Sequence, residues 1–109
     1  MNRLAVFALL AVCALLEAGG DALIRKGMLA SAGQRVGLYA SGALVLFLYG
    51  WLVNRPPWSF GSLLGVYVAL FFVIAQILAI TVFGEKLTTP ILAGGALIVT
   101  GGVVITVWR

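Results

Sequence analysis

The chain has 109 residues, 63% of them hydrophobic and 9% charged, with a mean hydropathy of +1.19. Typical soluble domains carry about 25% charged residues and disordered segments are poor in apolar side chains, so a water-exposed globule and a disordered chain are both excluded and a membrane protein remains. Seven basic and three acidic residues give a net charge of +4, but Arg3, Arg25, Lys26, Arg35, Arg55, Lys86 and Arg109 are dispersed, which argues against a nucleic-acid stripe and for span-end markers.

A helix crossing a hydrocarbon core needs about 20 residues. Residues 1–109 therefore accommodate one all-α transmembrane domain of four spans joined by short connections, with no room for a separate soluble domain. The first span is expected over about residues 3–24, built on the unbroken apolar run from Leu4 to Leu16. That run also has the shape of a signal peptide, with Arg3 as its basic flank. Against this, no convincing small-x-small cleavage site follows it, and Val12 before Cys13 does not suit a lipoprotein-type site. Cys13 itself, alone and in apolar surroundings, reads as a small apolar filler.

Arg35 opens the second span, about 36–53, which stops at Asn54-Arg55-Pro56-Pro57. Two consecutive prolines cannot continue a helix and force an extended connection, and Trp58 sits where an interfacial aromatic belongs. The third span covers about 60–83 and ends at Gly84-Glu85-Lys86. Thr88-Thr89-Pro90 then supplies a Thr cap with Pro at the first helical position. The fourth span, about 90–107, is closed by Trp108-Arg109 at the far interface.

Orientation follows the Lys/Arg bias between the two faces. Arg3, Arg55 and Arg109 share one face; Arg25, Lys26, Arg35 and Lys86 share the other. Three against four, or four against four with the amino terminus, fixes no single orientation. Such a balance permits insertion both ways and an antiparallel homodimer; alternatively, one or two charges nearest the membrane decide.

Glu17 is the main chemical signal. A carboxylate inside an apolar helix costs roughly 2.5–3.5 kcal/mol on insertion scales, and such groups mark ion, proton or substrate pathways. It can hold a proton or a cation, and that exclusivity couples proton entry to cation exit. The bland reading is an ion pair that staples helices together. Asp21 and Arg25 follow at successive intervals of four, so Glu17, Asp21 and Arg25 share one helix face. Asp21 is either a second binding site or the partner that neutralises Arg25, leaving Glu17 as the titrating group. Gly19 and Gly20 would let a neighbouring helix approach beside the carboxylate.

Gln76 is suited to a hydrogen bond across helices or to a substrate contact. Tyr39 and Tyr67 offer aromatic faces to a cation, or pack as core. Gly61 and Gly65 ease packing of the third span. In the fourth span, Gly94-Gly95 and Gly101-Gly102 lie seven apart, and with no charge between Pro90 and Trp108 the pair Gly94 and Gly101 suits close helix contact between subunits. Histidine is absent, the single Cys has no base, and the glycine pairs lie outside any phosphate-cradle context. No enzyme activity, cofactor or metal is expected.

A four-span chain with a first-helix Glu17, the turn Phe83-Gly84-Glu85-Lys86-Leu87, Pro90 and the Gly94/Gly101 pair resembles the small multidrug resistance family of the drug/metabolite transporter superfamily. The likeness covers nearly the whole chain and is strongest from Val82 to Ile105. It implies a dimer of antiparallel subunits in the cell inner (plasma) membrane, with Glu17 binding proton and substrate competitively and Gly94 and Gly101 at the dimer contact. The family's second-helix Tyr looks like Tyr39 and its third-helix aromatic looks like Tyr67. The stretch Gly65-Val66-Tyr67-Val68-Ala69-Leu70-Phe71 lacks the third-helix Trp and paired glycines of the drug exporters, and Asp21 and Gly19-Gly20 are atypical. The closing turn and Gly-rich last helix recur across the superfamily, including small subunits proposed to move lipid carriers. The leading expectation is therefore a proton-coupled exporter of small cationic molecules working by alternating access. The alternatives are a flippase subunit for a lipid-linked or sugar-linked substrate, and a non-transporting membrane subunit paired with another protein.

Overall fold

A computed structural model describes residues 2–108. It is all-helical: α1 (Arg3–Leu29), α2 (Ala32–Val53), α3 (Phe60–Phe83) and α4 (Thr89–Trp108). At 1.5 Å per residue each is about 30–40 Å long, enough to cross a hydrocarbon core of about 30 Å. All four are long and apolar enough to span a membrane.

Local chemistry sets the ends. The Asn2 side chain accepts from the Ala5 amide at 2.7 Å and caps α1. The helix runs to Leu29, five residues past the expected stop near Ile24. Arg25 and Lys26 mark the interface without breaking the backbone, because a basic residue in the last turn favours a helix C-terminus. The second helix begins at Ala32, so Arg35 lies inside it rather than ahead of it. Its guanidinium turns back, donating from Nε to the Gly27 carbonyl and from an Nη to the Ala30 carbonyl, both at 3.2 Å. Those carbonyls belong to the last turn of α1 and its cap, where the helix itself supplies few donors. Arg35→Ala should therefore lower stability by about 1 kcal/mol, read as a reduced Tm in detergent, with Arg35→Lys recovering part of it.

At the α2 exit the Asn54 amide donates to the Gly50 carbonyl at 2.7 Å, and Pro56-Pro57 carries the chain across. Arg55 lies over the Trp51 ring at 3.7 Å. Trp58 meets Phe7 edge-on at 6.0 Å, tying this connection to the start of α1. Gly84 ends α3 in the left-handed region, φ 66°, where a side chain would be strained. The Glu85 amide then closes onto the Ala79 carbonyl at 3.0 Å. The fourth helix starts one residue earlier than expected: Thr89 is the first helical position and Pro90 the second. The Thr88 hydroxyl accepts from the Ile91 amide at 3.5 Å. Pro90 is tolerated there because first-turn amides have no helical acceptor.

The helices form an open row, α2–α1–α3–α4. The first helix packs on both α2 and α3, while among the described residues α4 packs on α3 alone. The assembly is a slab of 49 × 34 × 19 Å. Close approach between α1 and α2 depends on Gly20 and Gly42. A Cβ on Gly42 would stand 3.0 Å from the Gly20 carbonyl oxygen, and one on Gly20 would lie 2.8 Å from Leu46. Gly19 faces open space, so of the expected pair Gly20 alone makes the crossing.

The core lies toward the α2–α3 connection. Val6, Leu10, Cys13 and Ala14 of α1 pack there with Val53, Leu63, Val66 and Tyr67. Cys13 is fully buried. Toward the opposite end α1 and α3 separate, leaving a cleft of about 240 Å³ between them. The α1–α3 seam thus has a packed half and an open half.

Candidate functional site

Glu17 stands at the boundary between the two halves. It is the fifteenth residue of a 27-residue helix, about 20 Å from either end at 1.5 Å per residue. Its nearest polar partner comes from α3: the Tyr67 hydroxyl donates to Glu17 Oε1 at 2.8 Å. Tyr67 is 3% exposed, so the donor is held by its surroundings rather than by a mobile rotamer. The Tyr49 ring of α2 stacks on Tyr67 at 5.6 Å with an interplanar angle of 27°. On the other side Phe71 lies 6.1 Å from Tyr67. Such aromatic contacts contribute about 0.5–1.5 kcal/mol each beyond their buried area. Three helices thus converge on one carboxylate, and an aromatic column from α2 and α3 fixes the hydroxyl that points at it.

The rings of Tyr49 and Phe71 are packed on Tyr67, so the aromatic contribution beside the carboxylate is to hold the hydroxyl in place. Among the described residues no cationic side chain is bonded to Glu17, whose partner is the Tyr67 hydroxyl. A stapling ion pair at Glu17 is therefore absent among them.

The remaining candidates are distributed differently from the sequence expectation. Asp21 lies on the same face of α1 and lines the α1–α3 cleft together with Arg25. The expected Asp21–Arg25 pairing does not form. The Arg25 guanidinium stands over the Phe83 ring at 5.5 Å, with the Lys26 ammonium 5.3 Å from the same ring. Tyr39 does not join Glu17. It packs against Gly27, where a Cβ would come within 2.8 Å of its ring, ten residues or about 15 Å along the helix from Glu17. Tyr49 occupies the place expected of Tyr39. Gln76 is half-buried and lines a groove between α3 and α4, away from the carboxylate.

The glycines of α4 divide by face. Gly95 and Gly102 are buried against α3, a Cβ on the former meeting Phe72 at 2.6 Å and one on the latter overlapping Ala69. Gly94 and Gly101 have no atom within 4 Å of such a Cβ and lie on the side that α3 leaves uncovered. In α3, Gly65 accommodates Ile105 of α4, whereas Gly61 faces open space.

Tyr67→Phe keeps the ring in the column and removes the 2.8 Å donor to Glu17 Oε1. It should lower stability by about 1 kcal/mol, read as a Tm change in detergent. Tyr49→Phe leaves that bond in place but removes a second hydroxyl set beside Glu17 and Tyr67, and should cost less.

No protein-family model, curated protein or solved structure matches the chain.

Proposed function

We propose that the chain is half of a proton-coupled carrier in the cell inner membrane that exports small organic cations by alternating access. The observation that carries this reading is the mid-span Glu17 carboxylate, hydrogen-bonded at 2.8 Å to Tyr67 and without a bonded cation among the described residues. A membrane-embedded carboxylate of this kind is costly and serves transport pathways. Proton and cation compete for one group, so each can leave only when the other arrives.

The position of Glu17 supports alternation. On one side lies the packed core of Val6, Leu10, Cys13 and Ala14. On the other, Ala18 and Phe71 line the deep end of the α1–α3 cleft. A carrier must expose its site to one side at a time, and this arrangement is closed toward one end and open toward the other.

A slab 19 Å thick does not surround a pathway by itself, and α4 has a single neighbour. Two copies are the economical completion. The even division of basic residues between the faces supports an antiparallel pair, with the Gly94 and Gly101 face of α4 as its contact. In such a pair the open end of one protomer stands beside the closed end of the other.

Reconstitution tests the reading. Proteoliposomes holding the full chain should accumulate a quaternary ammonium probe against its gradient when a pH gradient is imposed, and should release protons from purified protein when the probe is added. Accumulation that ignores the pH gradient would overturn it.

A further inference from the structure

The cleft between α1 and α3 is lined by charges of both signs that do not pair with each other. Asp21 and Arg25 of α1 and Glu85 of the α3–α4 connection line it. Among the described residues none of the three side chains makes an ion pair or hydrogen bond; Arg25 has only its place over Phe83 at 5.5 Å. The floor is apolar, formed by Phe71 and Ala75. Arg25 lies one turn from the end of α1 and Asp21 about 6 Å further along it, so the cleft runs inward from the helix ends.

Asp21, Arg25 and Glu85 are exposed and unpaired, so their charges are free to meet those of a ligand. A purely anionic ligand would meet Arg25 and be repelled by Asp21 and Glu85. A purely cationic one would meet the carboxylates and be repelled by Arg25 and by Lys26, which shares Phe83 with it at 5.3 Å. A ligand carrying both charges satisfies both sets. At about 240 Å³ the space falls below the roughly 300–1,000 Å³ of pockets that enclose drug-sized molecules. It suits a head group whose tail remains in the bilayer.

We propose that the α1–α3 cleft binds the head group of a zwitterionic amphiphile, its phosphate or similar strong anion against Arg25 and Lys26 and its ammonium against Asp21 and Glu85, with the aliphatic tail passing over Phe71 and Ala75 into the lipid. None of these charged groups is Glu17 and binding needs no proton gradient, although the cleft is the one whose deep end lies beside Glu17.

Native mass spectrometry of the full chain in detergent, titrated with dioctanoyl phosphatidylethanolamine, tests it. The comparison probes are dioctanoyl phosphatidylglycerol, a two-chain quaternary ammonium, dioctanoylglycerol and free phosphoethanolamine. The zwitterionic lipid should bind at least about tenfold more tightly than each of them, the size expected for one charge-assisted hydrogen bond. Arg25→Gln and Asp21→Asn should each weaken it about tenfold and erase the preference, while Arg25→Lys keeps most of the binding and so separates lost recognition from lost folding. Tight binding of free phosphoethanolamine would show a water-soluble ligand and overturn the amphiphile. Equal binding of the anionic, cationic or neutral lipid, or a preference that survives in Arg25→Gln and Asp21→Asn, would overturn the site.

Discussion

Glu17→Gln is expected to abolish pH-driven accumulation of an organic cation while leaving the fold intact. The amide has the size of the carboxyl, and its oxygen still accepts from the Tyr67 hydroxyl, so the 2.8 Å contact survives. What disappears is the exchangeable proton. A gradient of two pH units is worth about 2.7 kcal/mol per proton, which sets a ceiling of about hundredfold accumulation for one-for-one exchange. The variant should fall from its parent's ratio to about one, with a Tm within a few degrees of the parent. Glu17→Asp separates the two roles of the side chain. It retains a titratable group but is shorter by one methylene, so it loses the Tyr67 bond and should transport weakly yet remain coupled. Uphill movement by Glu17→Gln in sealed proteoliposomes would sink the exchange mechanism, whatever the cargo.

The four helices were legible because apolar stretches of membrane length are interrupted by few breakers. Pro56-Pro57 and Gly84 act through backbone geometry that no packing can override, and the bounds of α3 follow directly. The end of α1 was not legible for the converse reason. Arg25-Lys26 looks like a stop, but charge at an interface is compatible with helix, and the backbone continues to Leu29. Register around the helix axis was the harder quantity. The second helix is apolar on nearly every side, with Leu44, Phe47 and Leu48 exposed, so no polar face reveals which way Tyr39 and Tyr49 turn. The choice between them is made by the Gly20–Gly42 crossing, a tertiary contact that residue spacing leaves open. Glu17 was found because a deep carboxylate is conspicuous. Tyr67 is placed by the packing of Val66 and Leu63 beside it. The failure of Asp21 and Arg25 to pair likewise reflects Phe83, which arrives from another helix and draws the guanidinium over its ring.

The adjacent glycines of α4 give the second large effect, because successive helical positions point about 100° apart and the two heptad pairs must do different things. Gly102→Val should destabilise the protomer by about 1–3 kcal/mol, the range for overpacking a close contact. A Cβ at Gly102 overlaps that of Ala69, an atom with no rotamer through which to escape, so the whole of α4 must move. Since α4 has α3 as its one neighbour among the described residues, no second interface holds it in place, and the change should appear as a lower Tm and faster amide exchange confined to α4. Gly95→Val meets a Phe72 ring that can swing, and should cost less. Gly101→Val lies one position away from Gly102 and meets nothing within 4 Å, so the protomer should unfold as the parent does. In the proposed dimer that same substitution enters the seam between copies and should weaken association in bilayers by at least about tenfold, one lost tight contact's worth, read by energy transfer between labelled subunits. A Gly101→Val variant that associates like the parent would move the seam to another face; one that loses both association and coupled transport, with an unchanged Tm, would tie the paired state to the work of Glu17.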